Sequence, residues 1–256
     1  MRNGKGDRMK KLMWIAGMAA GAVLAQGAGA AEITVLSGGA VEPGLNAAAA
    51  AFEKASGHSV KITYNTTPQM RKRVGGGDVF DVVIAPPAAI KDFAAAGKVE
   101  EGGINVGRVG LGVVIRPGAP VPDISSADAI KRTVLEAESI VFNRASSGLY
   151  FESLLKKMGI YEQVEAKSAR YATGAEVMEH TLKGKGREVG FGPITEILQY
   201  KEKGLRLVGP LPAEIQNYTS YTAVPMSAAS NKTAAQEFVR FLGAAGKPLF
   251  VAAGID

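Results

Sequence analysis

Short β-branched apolar runs alternate with longer amphipathic stretches from residue 32 to the end of the chain. The period-2 and 3.6-residue patterns predict strands over 32–36, 60–64 and 81–85, with helices over 45–54, 69–74 and 88–96 between and after them. Gly57, Gly75-Gly76-Gly77 and Gly97 end these helices, and Pro68 sits where a first helical turn accepts it. A strand over 109–116 is broken by Pro117-Gly118-Ala119-Pro120. The alternation then resumes: helix 126–136, strand 140–142, helix 149–158, strand 167–171, helix 175–183, strand 189–191, helix 194–203 and strand 205–208. An extended segment over 219–225 and an amphipathic helix over 233–244 follow, the latter with Phe238, Phe241 and Leu242 on one face. Strands and helices alternating at this spacing imply an α/β fold with mostly parallel sheets. There are two βα blocks, about 32–108 and 117–217, and two extended crossings. The apolar face of the last helix has nothing left to cover it in the second block. Residues 225–256 are therefore expected to return to the first.

The polar positions that interrupt this pattern recur at one kind of place. Ser37-Gly38-Gly39-Ala40 follows the first strand, and Thr66-Thr67-Pro68-Gln69 follows the second. Asn143-Arg144-Ala145-Ser146-Ser147-Gly148 follows the strand over 140–142, and Thr173-Gly174-Ala175-Glu176 opens a later helix. Strand-to-helix junctions lie at the carboxyl ends of strands, where open α/β sheets bind ligands. They also aim backbone N–H groups and the positive ends of helix dipoles at one region, which suits an anion. Each loop has a plainer reading as well. The glycines permit tight turns, Thr66 and Thr67 cap a helix, and Arg144 makes a solvated loop charge. Because all the loops share the junction position, they are expected to surround one ligand. Tyr171, Tyr218 and Tyr221 are candidates for the cleft wall, with core packing as the alternative.

Charge and composition alter this picture mainly at the N-terminus. The formal charge is +6, but Arg2, Lys5, Arg8, Lys10 and Lys11 all precede an apolar run that starts at Leu12. With Ala28-Gly29-Ala30 after the run, residues 1–30 read as a cleaved secretory signal peptide, with Met1 or Met9 as the start. The remainder carries 25 basic and 23 acidic residues, which gives no reason to expect a nucleic-acid partner. There is no cysteine, so no disulfide framework and no thiolate metal site. An exported chain of this kind fits the bacterial periplasm.

No catalytic constellation is evident. The two histidines, His58 and His180, lack metal-ligand spacing. Ser153-Leu154-Leu155-Lys156 falls mid-helix without companion motifs, and Ala145-Ser146-Ser147-Gly148 lacks the first glycine of a nucleophile elbow. The expectation is a binding protein rather than an enzyme, with no metal and no cofactor. A secreted hydrolase using Ser146 or Ser147 is the remaining enzyme alternative, and it requires a histidine beside them.

The leader, Ile33-Thr34-Val35-Leu36-Ser37, Phe52-Glu53-Lys54, Gly77–Ile84, Gly190-Phe191-Gly192 ahead of Ile194-Thr195-Glu196-Ile197, and the ending over 234–255 resemble, in order, the molybdate-binding proteins of ABC importers. The resemblance implies a two-lobed type II periplasmic-binding-protein fold whose mostly parallel sheets are joined by a two-stranded hinge. Lobe 1 would comprise residues 31–108 with 225–256, and lobe 2 residues 117–217, with crossings at 109–116 and 218–224. It also implies a small anion held by neutral donors from Ser37, Thr66 or Thr67, Ser147 and the backbone near Ala175, with Gly38, Gly39, Ser146, Thr173 and Gly174 beside them. The partners implied are the anion and an ABC permease of the inner membrane, served by a monomer. The sequence departs from the family where Pro193 stands in place of a tyrosine hydroxyl and where Arg144 places a carboxylate-matching fork in the second-lobe loop. A small organic carboxylate is therefore a candidate beside the oxyanion. A sensing or scavenging protein without an importer is the alternative role.

Overall fold

The structure is a computed structural model, and it describes residues 29–256. The predicted signal peptide lies almost wholly outside the described residues. The described residues form nine strands, eight along the path β2-β1-β3-β9-β4-β7-β5-β6 and β8 paired to β4 off it. In the first half, β1 (Glu32–Ser37) runs parallel to both β2 (Ser59–Tyr64) and β3 (Val82–Ala85), and β3 runs antiparallel to β9 (Tyr218–Pro225). In the second half, β5 (Ser139–Asn143) runs parallel to β6 (Ser168–Tyr171) and β7 (Glu188–Pro193).

One strand belongs to both halves. β4 (Ile104–Ile115) pairs with β9 through Gly110 and then, from Leu111 onward, with β7 and β8 (Arg206–Pro210). At the changeover the Gln216 side chain stands in for a strand partner. It accepts from the Leu111 N–H at 3.0 Å and donates to the Leu111 carbonyl at 3.0 Å. The backbone groups of Leu111 are thus satisfied where the pairing partners change.

The helices are α1 (Glu42–Ser56), α2 (Thr67–Gly75), α3 (Pro87–Ala95), α4 (Ala127–Glu136), α5 (Ser146–Lys157), α6 (Tyr161–Val164), α7 (Gly174–Lys183), α8 (Ile194–Gln199), α9 (Lys232–Gly243) and α10 (Lys247–Ala252). Three departures from the sequence pattern have local causes. α5 begins at Ser146, not near residue 149, because the Asn143 side-chain oxygen accepts from the N–H groups of Ala145 (2.9 Å) and Gly148 (3.1 Å). Ser-Ser-Gly reads as loop by propensity, but here the donors that a helix start leaves unpaired have an acceptor. α10 lies beyond the last element the sequence pattern predicts, and it has Pro248 in its first turn, where proline is tolerated. α6 is one turn long and leaves too short a periodic signal to detect.

The halves have separate apolar cores. Ile33, Val35, Leu45, Phe52 and Ile84 pack with Phe238, Leu242, Phe250 and Ile255, so α9 and α10 cover the first half. Phe142, Phe151 and Phe191 pack with Leu111, Ile130 and Val134 in the second, with the rings of Phe151 and Phe191 stacked at 3.8 Å.

Asp81 ties the first core together. Its Oδ2 accepts from the N–H and hydroxyl of Thr34, both at 2.8 Å, and its Oδ1 accepts from the Asn231 N–H at 2.8 Å, just ahead of α9. Burial pushes the Asp81 pKa up, but the donors outweigh it and hold the carboxyl below its ordinary value. The carboxylate therefore stabilises the fold above the usual carboxylate range, and that contribution is lost as pH falls through the depressed pKa. Asp81→Ala leaves the Thr34 and Asn231 donors unpaired and should cost about 1–3 kcal/mol in urea unfolding at neutral pH. The difference from wild type should shrink below about pH 4. An equal gap at acid and neutral pH would show that the ionised carboxylate is not the stabilising species.

Candidate functional site

Parallel strands deliver their carboxyl ends to the same edge, so the loops that leave them meet there. Loops after β1, β2, β5, β6 and β7 surround a cavity of about 350 Å³ between the halves. From the first half come Gly38, Gly39, Asn65, Thr66 and Thr67; from the second, Asn143, Ser146, Ser147, Thr173, Gly174, Ala175 and Pro193. The halves touch across this cavity. Thr67 Oγ1 and Ser146 Oγ share a hydrogen bond of 3.3 Å, and the Thr195 hydroxyl donates to the Ala40 carbonyl at 2.6 Å.

The Thr66, Thr173 and Ser147 hydroxyls in the wall stand at helix starts. Thr66 precedes α2, and its N–H donates to Gln69 Oε1 at 2.8 Å. Thr173 caps α7, its hydroxyl accepting from the Glu176 N–H at 3.2 Å while its own N–H donates to the Glu176 carboxylate. Ser147 lies in the first turn of α5 and accepts from the Asn143 side-chain N–H at 3.1 Å. Thr66 and Thr173 thus both precede a helix and line the cavity.

Four of the residues singled out in the sequence, Ser37, Arg144, Tyr171 and Tyr218, do not line the cavity. Ser37 is fully buried, and its hydroxyl donates to the Gly38 carbonyl at 3.2 Å. The Arg144 side chain is exposed. Its backbone N–H donates to the Tyr171 carbonyl at 2.8 Å, continuing the β5–β6 pairing just past the end of β5. The guanidinium fork expected to meet a carboxylate is not part of the cavity wall. Among the tyrosines, Tyr221 lines the cavity and lies over Gly38, where a β-carbon would come within 2.6 Å of its ring. Tyr218 instead carries the Arg108 guanidinium 4.4 Å from its ring centre, and Tyr171 is hydrogen-bonded to His180 at 2.7 Å. Neither His58 nor His180 lines the cavity, so Ser146 and Ser147 have no imidazole base there.

Acidic groups are the part of the site that sequence reasoning missed. Glu42 and Glu196 both line the cavity, and among the described residues no lysine or arginine does. Glu196 projects from α8 to a point between the halves, near Gly39 of one and Gly174 of the other. A β-carbon on residue 174 would lie 1.7 Å from Glu196 Oε2, so any larger residue there would displace the carboxyl from this position. That oxygen is sealed from solvent and has no hydrogen-bond partner. Burial, and then the charge of Glu42, pushes the Glu196 pKa up to about 7. Burial, followed by the charge of Glu196, also raises the pKa of the Tyr221 hydroxyl. In the sequence Glu196 reads only as an acid in a helix first turn, a common surface pattern. No group of three or more metal-ligating side chains occurs among the described residues.

Two α/β halves joined by the shared strand β4, with a cleft between them, have the architecture of the type II periplasmic-binding-protein fold. The chain belongs to the bacterial extracellular solute-binding protein family, whose model matches residues 33–256. Its fold is that of the periplasmic molybdate-binding protein of Azotobacter vinelandii, with a TM-score of 0.72 at 19% identity over 88% of this chain and 98% of that one. The sulfate-binding protein SubI of Mycobacterium tuberculosis is also similar, with a TM-score of 0.71 at 20% identity over 88% of this chain and 86% of that one. An aconitate isomerase from a Pseudomonas species is 29% identical over 217 residues, 82% of this chain and 81% of the relative.

Proposed function

We propose that this protein is a periplasmic receptor that captures a small organic anion in the cleft and presents it to an ABC permease. The observation that carries the ligand class is the size of the cavity. About 350 Å³ remains although the halves already touch. Pockets for small organic ligands begin near about 300 Å³, and a bare four-oxygen ion would leave most of this one empty. The lining supports the same reading, since hydroxyls, amides and helix starts replace the cations that a polyanion would otherwise require. Capture would proceed by closure of lobe 1 (residues 31–108 with 225–256) on lobe 2 (residues 117–217) about the strands at 109–116 and 218–224. Contacts from both lobes favour the closed state.

The test is calorimetry and thermal melting with tricarballylate, citrate, molybdate and sulfate. A tricarboxylate should bind and raise the melting temperature, because a ligand bound only by the folded state stabilises it. Tight molybdate or sulfate binding with no response to the organic anions would overturn the organic-anion reading.

The isomerase relative and the unpartnered Glu196 carboxyl favour a second reading, an acid–base isomerase. An allylic shift breaks a C–H bond at the methylene carbon of an unsaturated tricarboxylate. The electron pair moves the double bond by one position, and the proton is added at the former vinyl carbon. Glu196 would accept and return that proton, and no cofactor or redox partner is needed. Incubation of cis-aconitate with the protein in D2O, followed by NMR, decides it: unchanged cis-aconitate rules the isomerase reading out.

A further inference from the structure

We propose that Glu196 makes capture proton-dependent: in its neutral form it donates a hydrogen bond to an oxygen of the bound anion, so one proton is held for each anion captured. This rests on the cleft being the anion site proposed above. Three features of the geometry carry it. The cavity wall contains two carboxyl groups and no cation, so an anion entering beside two carboxylates would meet only like charge at close range. The Glu196 Oε2 is sealed and unpartnered in a molecule whose other buried side-chain polar atoms, apart from Arg170 Nε, have partners among the described residues. An unpaired ionised oxygen there would carry a full desolvation penalty, whereas a neutral acid has a proton to donate. Finally, Glu196 stands between Gly39 and Gly174, where an anion drawn in by both halves would meet it.

The other titratable groups around Glu196 oppose its ionisation or are engaged elsewhere. Glu42 at the start of α1 adds negative charge, and Tyr221 of β9 is a neutral phenol. Tyr64 of β2 donates to the Asn46 side chain at 2.6 Å, and burial, then the charge of Glu42, raises its pKa. Tyr200, at the end of α8, lies beneath the Lys203 ammonium, 4.2 Å from its ring centre. On α7, Glu176 caps Thr173, Glu179 pairs with Lys183 and Lys203, and His180 bonds Tyr171. With Glu196 pushed up to about 7, the proton is available near neutral pH and is lost above it.

The experiment has two arms. The first is calorimetry of tricarballylate binding in buffers of different ionisation enthalpy above about pH 7, where all three of its carboxyls are ionised. Wild type should take up one proton per tricarballylate, and its affinity should fall by about tenfold per pH unit. Glu196→Gln cannot ionise, so its proton uptake should vanish and its affinity should be flat with pH. Binding by wild type that is pH-independent and takes up no proton overturns the proposal. The second arm needs no anion. A carboxyl whose folded pKa is raised binds its proton more tightly in the folded state, so its contribution to stability falls as pH rises from about 4.5 to about 7. The melting temperature of wild type should fall over that range relative to Glu196→Gln. Superimposable profiles would mean that Glu196 holds no proton in the fold, which overturns the proposal whatever binds. Failure of tricarballylate to bind, with the second arm positive, would count against the organic anion as ligand and leave the proton on Glu196 established.

Discussion

Replacing Gly148 by alanine is expected to lower both the stability of the protein and its affinity for anions. A β-carbon at residue 148 would lie 1.7 Å from the backbone oxygen of Asn143 and 2.7 Å from its side-chain oxygen. Backbone cannot swing aside as a flexible side chain does, so the β5–α5 loop must shift. Overpacking of this kind costs about 1–3 kcal/mol, and in a chain of this size each kcal/mol lowers the melting temperature by about 2–4 °C. The same shift breaks the acceptor arrangement by which Asn143 holds the N–H groups of Ala145 and Gly148 and presents Ser146 and Ser147 to the cleft. Affinity for the anion proposed to bind in the cleft should therefore fall further than stability alone explains, as read by calorimetry at a temperature where the variant is fully folded. A Gly148→Ala protein with wild-type melting and wild-type affinity would contradict the loop geometry.

Phe238→Ala is expected to have the largest effect on stability. Phe238 is fully buried on α9, with its ring centre 5.0 Å from that of Phe52 on α1, and Leu45, Leu242 and Phe250 belong to the same core. Removing a buried phenylalanine side chain costs about 3–5 kcal/mol, a large share of the roughly 5–15 kcal/mol that holds a typical protein folded. Urea unfolding measures the total. Hydrogen exchange locates it, and protection should drop in β1, α1 and α9 before it drops in α5 or β5. A loss under about 1 kcal/mol would mean that α9 is only loosely attached, and uniform loss of protection would mean that the two cores do not open separately.

Most of the fold was legible in the sequence because its signals are local. Alternation over 33–36 and 60–64, the Thr66-Thr67-Pro68 helix start and the glycine after α1 each specify an element through contacts within a few residues. The return of α9 to the first half could also be anticipated, since an amphipathic face of Phe238 and Leu242 has to be covered. Boundaries were harder. The first turn of α5 depends on the side chain of Asn143, and the changeover of partners along β4 depends on Gln216, about a hundred residues away in the chain.

The site divides in the same way. The junction loops carrying Thr66, Thr67, Ser147 and Ala175 could be read as one cavity wall because parallel strands send their carboxyl ends to one edge, a consequence of topology that the strand order already implies. The chain by itself thus determined the α/β class, the order of elements and the polar loops. Which side chains enter the cleft was decided only in three dimensions. Arg144 and Glu196 show why: both are charged residues next to strand ends, and nothing in their neighbours' identities separates them. Arg144 continues the β5–β6 pairing by its backbone with its side chain exposed, while Gly174, remote in sequence, leaves the space that Glu196 fills. The electrostatic character of the cleft follows from that difference, because a buried carboxyl takes its protonation state from the groups packed around it rather than from its own chemistry.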